Sequence, residues 1–173
     1  MSYKLHTNFL SDEEINIISS ESFLLFKDPE TKYQTNLTRW DKNIILDSNI
    51  VLINNITNNL KLKTVDFLNR NLKKLNKNKP DGISFFYWTK GSYIPWHSDE
   101  GYEMACTLYL NQNWDPNWGG FINIKTDEYN VSSIKPEYNN LVELQKNVFH
   151  STTPTSLLAD IRVTIQIFWN VSN

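Results

Sequence analysis

The sequence predicts a mainly β domain in which N-terminal helices buttress one face of a jelly-roll-like sandwich. Two observations lead to this prediction. Apolar residues follow a helical period before about residue 80, whereas β-branched and aromatic residues dominate after it. Turn residues, as in DPNWGG and KPEYNN, divide the second part into seven predicted strands, at 83–88, 104–111, 119–125, 129–134, 140–145, 147–152 and 161–169. Because no helical pattern separates these strands, an antiparallel sandwich or barrel is favoured over a parallel sheet.

The N-terminal part predicts helices and one irregular segment. Ser11 is followed three residues later by Glu14, which is the spacing of a capping box at a helix start. Apolar residues from 47 to 75 recur at roughly helical spacing and predict two helices, with a break near residues 58–63. Between these regions, residues 27–43 (KDPETKYQTNLTRWDKN) are polar and irregular. Such a segment is either a surface loop or a lid over a site.

Composition limits the classes of function. The 173 residues predict one domain, and a net charge of −2 offers no basic field for phosphates, so a nucleic-acid partner is disfavoured. The single cysteine, Cys106, rules out an internal disulfide framework and is typical of a reducing compartment. The sequence has neither a signal-peptide pattern nor an apolar run of about 20 residues. We therefore predict a cytoplasmic protein without a membrane partner.

A short motif, PWHSDEG, gives the first functional hypothesis. His97 and Asp99 are two residues apart, and in an extended chain such residues point to the same face. A third metal ligand would have to come from elsewhere, and His150 lies in a late predicted strand, whereas His6 precedes the first predicted helix. Two histidines and one carboxylate form the facial triad of non-haem Fe(II), which leaves adjacent coordination positions open.

We refer to His97, Asp99 and His150 as the triad. The competing interpretation places the first two on a polar surface loop and His150 in the core or at a sheet edge. His6 is left out of the triad, and we expect its replacement to leave iron binding and turnover unchanged.

A second candidate is Arg162, at the start of the last predicted strand. Only three of the 17 basic residues are arginines, so a chain that favours lysine has arginine at this position. A guanidinium group binds a carboxylate with two hydrogen bonds, which lysine cannot do. Alternation puts Thr164, Gln166 and Phe168 on the same face as Arg162, a face that suits the wall of a ligand cavity. The alternative is an arginine at a strand edge, paired with a surface acid.

The region from about Ser84 to Trp169 resembles the 2-oxoglutarate- and Fe(II)-dependent dioxygenases, and within them the prolyl-hydroxylase-like group. The matching stretches are YWTKGSYIPWHSDE, CTLYLNQNWDPNWGG, SIKPEYNNLVEL and FHSTTPTSLLADIR, and together they cover about half of the chain. The resemblance implies a double-stranded β-helix, the jelly-roll fold of that group. Residues 1–173 would then form a single domain, with a helical support and candidate lid at about 1–80 and the jelly-roll core at about 81–170.

The resemblance also implies roles for individual residues. The triad matches the iron ligands, and Arg162 matches the residue that binds the distal carboxylate of 2-oxoglutarate. Tyr109 matches a tyrosine that assists at that carboxylate, and Tyr87 matches one near the metal-binding end of the cosubstrate. Arg162 follows His150 by twelve positions, whereas nine or ten are usual in the prolyl hydroxylases, so TSLLAD is expected to contain a longer turn.

The chemistry that the resemblance implies is hydroxylation of a C–H bond, with release of succinate and CO2. It would use Fe(II), 2-oxoglutarate and O2, with ascorbate as a further candidate cofactor. A prolyl residue in a peptide or protein is the implied substrate, and a free amino acid or sugar is the alternative. Residues 27–43 would then cover the mouth of the site and contact substrate. The rival classes are a cupin-like or other non-catalytic jelly roll that binds a metal or ligand, and a structural zinc site.

Overall fold

The computed structural model describes residues 3–45, 47–56, 63–75 and 79–171. Within these ranges four α-helices occur, and their bounds are α1 (Asp12–Lys27), α2 (Asn36–Arg39), α3 (Lys42–Ile45) and α4 (Lys63–Leu72). The described strands are β1 (Tyr3–His6), β2 (Gln34–Thr35), β3 (Val51–Asn55), β4 (Gly82–Trp88), β5 (Ile94–His97), β6 (Tyr102–Tyr109), β7 (Ile122–Lys125), β8 (Val131–Ile134), β9 (Leu141–Gln145), β10 (His150–Thr152) and β11 (Arg162–Asn170).

The strands form two antiparallel sheets that face each other. The large sheet has seven strands in the order β1-β9-β6-β11-β4-β3-β2, and the small sheet has four in the order β5-β10-β7-β8. Every predicted strand after residue 80 overlaps an observed one, although β5 was not predicted, and the predicted jelly-roll architecture with supporting helices is confirmed. The space between the two sheets holds the site described below.

Helices α1 and α4 pack on the outer face of the large sheet, whereas α2 and α3 lie beside the cavity between the sheets. Alternate residues of its central strands point toward α1 and α4, as the period-two pattern requires. They form one hydrophobic core with helix residues such as Ile15, Ile18, Leu68 and Leu72. The predicted capping box is present, because the Ser11 side chain accepts a hydrogen bond from the backbone of Glu14 while the Glu14 carboxylate accepts one from the backbone of Ser11. The other face of the sheet is thereby left for the site.

The helix predicted at the start of 47–75 is wrong, because Val51–Asn55 is strand β3. This strand pairs with β4 along its whole length, and Val51 and Ile53 are buried in the cluster that contains Phe86 and Trp88. Long-range pairing has therefore overridden the local pattern. The second predicted helix is observed as α4, and the predicted break lies mostly outside the described residues. Strands β1, β2 and β3 join the large sheet, so the N-terminal region is more than a helical support.

His6 lies on β1, which pairs with β9, and it is not next to the triad. Its Nε2 lies 2.8 Å from a carboxylate oxygen of Glu143, a residue that is buried on β9. Glu143 also accepts a hydrogen bond of 2.7 Å from the Gln145 amide. Replacement of His6 would therefore remove a partner from a buried carboxylate and lower the stability of the fold, while unchanged iron binding remains the prediction.

None of the helices in the described ranges is long and apolar enough to span a membrane.

Candidate active site

The triad is brought together by the pairing of two strands in the small sheet. His97 ends β5 and His150 begins β10, and the two residues are direct partners across this antiparallel pair. Asp99 follows in a tight turn, in which its carbonyl oxygen accepts a hydrogen bond of 3.0 Å from the backbone of Tyr102. The Nε2 atoms of the two histidines each lie 3.7 Å from a different carboxylate oxygen of Asp99. One ligand atom of each triad residue lies within 4.8 Å of the other two.

Both imidazole rings are oriented by their own strands. Nδ1 of His97 lies 2.8 Å from the carbonyl oxygen of Pro95, and Nδ1 of His150 lies 2.9 Å from that of Val148. A carbonyl oxygen only accepts, so each Nδ1 carries the hydrogen and each Nε2 keeps its lone pair directed toward the site. Burial lowers the pKa of His150, and the neighbouring His97 lowers it further, which together outweigh the opposite effect of Asp99. At neutral pH His150 is thus in the form that binds a metal.

The triad opens into a cavity of about 230 Å³ between the sheets. Both sheets contribute apolar and polar side chains to its lining. The large sheet contributes Phe86, Trp88, Thr107, Gln166 and Phe168, and the small sheet contributes Ile94, Ile122 and Thr152 beside the two histidines. The predicted cavity face of β11 is therefore observed at Gln166 and Phe168.

Residues 27–43, which were predicted to be largely irregular but contain β2 and α2, lie partly at this cavity. Arg39, Trp40 and Asp41 all line it, and the Trp40 ring lies 5.8 Å from the ring of Trp88. Tyr33 does not reach the cavity, because its ring packs against Tyr87 in the helix-facing core and its hydroxyl donates to the carbonyl of Leu25. Only the end of the predicted lid is thus next to the cavity in the described part of the chain.

Arg162 is buried, with a relative exposure of 1%, and neither it nor Tyr109 is among the described residues that line this cavity. Its Nη1 donates to the carbonyl oxygen of Gly120, and its guanidinium carbon lies 4.2 Å from the centre of the Trp88 ring. Within the described residues, its Nε and Nη2 have no hydrogen-bond partner. Burial lowers the pKa of Arg162 to about 10, and the nearby Tyr109 raises it in part, so the group is still charged at neutral pH. Two unpaired donors on a buried cation are a site for an anion.

Tyr109 shares this region with Arg162. Its side chain is buried in the cluster between the sheets. Burial raises the pKa of its hydroxyl to about 12, while the charge of Arg162 acts in the opposite direction.

The predicted turn before Arg162 is also present, since the backbone of Ala159 donates to the carbonyl oxygen of Ser156. The side chains of β11 alternate between the helix-facing core and the cavity as predicted, although Arg162 follows His150 by twelve positions.

Residues 83–170 match the sequence profile of the 2OG-Fe(II) oxygenase superfamily, which covers half of the chain. The chain belongs to this superfamily. Fe(II) and 2-oxoglutarate are typical of its members, and the two neutral imidazoles with one carboxylate are a donor set that suits Fe(II). The open edge of the Arg162 guanidinium likewise suits a carboxylate.

Solved structures agree with this oxygenase in fold. A prolyl-4-hydroxylase from Pseudomonas putida superposes with a TM-score of 0.71 at 16% identity, covering 99% of this chain and 94% of the other. A Trichoplax adhaerens prolyl hydroxylase, in complex with a peptide fragment of the hypoxia inducible factor oxygen degradation domain, gives 0.80 at 16% identity, with 98% and 83% covered. The non-haem α-ketoglutarate-dependent epimerase SnoN of nogalamycin biosynthesis gives 0.73 at 9% identity, with 96% and 76% covered. No curated protein matches the sequence of this chain.

The structure of the oxygenase corrects one predicted site residue, Tyr87. Its side chain points away from the cavity, packs in the helix-facing core and donates a hydrogen bond of 2.8 Å to the carbonyl oxygen of Ser22. Burial raises its pKa well above the usual value, and Tyr33 adds to this effect. The neighbouring Trp88 lines the cavity instead, because adjacent residues of a strand face opposite sides. The strand was predicted correctly, but its phase relative to the cavity was not.

Proposed function

We propose that this oxygenase hydroxylates a C–H bond of a prolyl residue in a peptide or protein, with release of succinate and CO2. The observation that carries the proposal is the meeting of the triad at a cavity lined by Trp88, whose ring covers the buried and incompletely paired Arg162. His97, Asp99 and His150 would hold Fe(II), and Arg162 would bind the distal carboxylate of 2-oxoglutarate. The bound metal and cosubstrate supply the oxidising chemistry, coupled to decarboxylation of the 2-oxoacid.

The contribution of the chain itself is binding, orientation and exclusion of water. The two Nδ1–H groups hold the imidazole rings so that only Nε2 faces the metal position. Tyr109 would stay protonated at neutral pH, since its pKa is about 12, and could donate a hydrogen bond to the same carboxylate as Arg162. The apolar wall around Phe86 and Phe168 limits the access of water to the reacting atoms.

A peptide substrate is supported by the cavity mouth, where Arg39, Trp40 and Asp41 offer charge and aromatic surface on the exposed side. The relatives in fold include a prolyl hydroxylase in complex with a peptide. A small molecule is the second candidate, because the cavity is only about 230 Å³ and an epimerase shares the fold. A requirement for ascorbate and a cytoplasmic location stay proposals that accompany either candidate.

The decisive experiment has two stages. Anaerobic protein is first titrated with Fe(II) and 2-oxoglutarate, and stoichiometric iron with a 2-oxoglutarate-dependent absorbance change is expected. A non-catalytic jelly roll or a structural zinc protein would show no such change. Matched proline-containing and alanine-containing peptides are then supplied with O2, together with free amino acids and sugars. Addition of one oxygen atom to the proline peptides alone, detected by mass spectrometry with matching succinate, supports the first candidate. Oxygen addition to a small molecule alone would replace it with the second.

A further inference from the structure

Trp88 makes a set of contacts that the proposed roles of the triad and Arg162 do not explain. It is the direct partner of Arg162 across the pairing of β4 and β11. Its ring covers the guanidinium face at 4.2 Å, and its Nε1 donates a hydrogen bond of 3.0 Å to the hydroxyl of Thr164. The indole is thus held at one end by β11 and rests on the cation at the other. Its remaining surface lines the same cavity as the triad.

The guanidinium is restrained from a second direction by Gly120. Nη1 donates to the carbonyl oxygen of this glycine, which has a φ of 69°. A Cβ at this position would lie 3.0 Å from Cδ and 3.1 Å from Nη1 of Arg162, so a side chain would crowd the arginine. Of the three guanidinium nitrogens, Nη1 is therefore engaged, and the group is covered on one face. The two unpartnered atoms, Nε and Nη2, lie on one edge of the plane and can bind a carboxylate side-on with two parallel hydrogen bonds.

We propose that Trp88 is a positioning residue that fixes the plane of Arg162, so that the free edge selects 2-oxoacids with a distal carboxylate. The inference rests on the proposed function and adds a residue to it. The stacked ring stabilises the buried cation without using any of its N–H donors. The Nε1 hydrogen bond to Thr164 prevents the indole from turning and competing for the carboxylate. Trp88 therefore acts through Arg162 and makes no polar contact with the ligand.

The test compares two ligands of equal chain length on Mn(II)-loaded protein under anaerobic conditions. 2-Oxoglutarate has the distal carboxylate and 2-oxopentanoate lacks it, and both affinities are measured by calorimetry. For Trp88→Leu we expect about a tenfold loss of 2-oxoglutarate affinity and no change for 2-oxopentanoate. Trp88→Phe keeps a ring over the guanidinium and should retain most of the preference for 2-oxoglutarate. Trp96→Leu is the matched control, because Trp96 is exposed and stacks on Phe149 instead.

The possible outcomes separate this inference from the proposed function. Equal weakening of both ligands in Trp88→Leu would make the tryptophan a structural wall and overturn the inference. An unchanged preference in that variant would also overturn it, since Arg162 would then need no support. If the wild-type protein itself does not distinguish the two ligands, the assignment of Arg162 in the proposed function fails, and the role of Trp88 fails with it. Because 2-oxopentanoate needs only the metal end of the site, its binding also reports whether each variant is folded.

Discussion

The large sheet is covered on both faces, by α1 and α4 on one side and by the small sheet on the other, whereas the small sheet carries exposed residues on its outer face. Trp96 and Phe149 are about 40% exposed there, directly beside the two histidines of the triad. The small sheet provides the two histidines of the triad, whose rings are oriented by hydrogen bonds to carbonyl oxygens two residues earlier in the chain. The large sheet provides most of the core and the buried arginine, whose partners come from distant parts of the chain. Chemistry and stability should therefore respond differently to substitutions in the two sheets.

The largest effect is expected in the small sheet. His97→Ala or His150→Ala should abolish Fe(II) binding and turnover, because two remaining ligands hold the ion too weakly. The fold should remain intact in both variants, with the larger loss of stability in His150→Ala, because His150 is buried and its Nδ1 donates to the carbonyl oxygen of Val148. Iron stoichiometry and urea unfolding check the two statements. Full 2-oxoglutarate decarboxylation by either variant would remove the triad from the proposed site.

In the large sheet, Arg162→Ala should affect the cosubstrate and not the metal. Charged hydrogen bonds are worth roughly 1.5–3 kcal/mol each, so the affinity for 2-oxoglutarate should fall at least tenfold. Arg162→Lys should recover part of this loss, because lysine keeps the positive charge but lacks the planar pair of N–H donors. Arg70→Ala is the control, since Arg70 forms a surface ion pair with Glu14. Unaltered affinity of Arg162→Ala would disprove the cosubstrate assignment even if the iron site is right.

Arg39, Trp40 and Asp41 line the cavity at its exposed end. A substitution there tests whether the substrate is bound independently of the cosubstrate. Arg39→Ala should raise the KM for a peptide substrate by about three- to tenfold, the loss expected for one charged contact. Uncoupled 2-oxoglutarate turnover should be unchanged, because Arg39 lines the cavity whereas the cosubstrate is proposed to bind at Arg162, which does not. Lys42→Ala, a nearby exposed cation, is the matched control. Equal losses in both reactions would argue against a role in substrate contact.

At the edge of the large sheet, His6→Ala should lower stability and leave iron binding unchanged, whereas the triad variants should lose iron. Loss of its 2.8 Å contact with buried Glu143 should lower the free energy of unfolding by about 1–2 kcal/mol. Bound iron should remain stoichiometric, since His6 is on β1 and the triad is in the small sheet. Unfolding in urea and iron analysis provide the comparison, with His6→Gln as the variant that retains a donor. Loss of iron in His6→Ala would show that the two sheets are coupled.

The smallest effect concerns the helices behind the large sheet. Burial raises the pKa of Glu14, but hydrogen bonds from Ser11 and Asn71 and the charge of Arg70 outweigh it, so the net shift is downward. The carboxylate therefore stabilises the fold above its unfolded pKa, and this contribution is lost as pH falls through the lower folded pKa. Glu14→Gln should be less stable than the wild type by about 0.5–1 kcal/mol at neutral pH. The difference should shrink toward pH 3, and a constant difference would contradict the pKa shift.

The positions of the helices and of the two sheets determine which parts of the fold and of the site could be predicted from the sequence. His97 and Asp99 could be placed together because they are two residues apart in the sequence. His150 meets them because it begins β10, which pairs with β5 at His97. The role of Tyr87 was taken from the resemblance alone, because the alternation of β4 does not show which of its sides faces the helices. That choice depends on where α1 and α4 pack, which is a long-range property. Strand β3 was missed for the same reason, since only its pairing with β4 distinguishes it from a short helix.

The position of β11 has a consequence for the order in which the protein can assemble. This strand is the last in the chain among those described, yet it lies in the middle of the large sheet, between β6 and β4. During synthesis, β1, β9 and β6 can pair on one side and β4, β3 and β2 on the other, but the two groups have no common neighbour until residues 162–170 emerge. Until then the facing edges of β6 and β4 are open to pairing with other chains. The same step delivers Arg162, so the proposed cosubstrate pocket is completed only when the sheet closes.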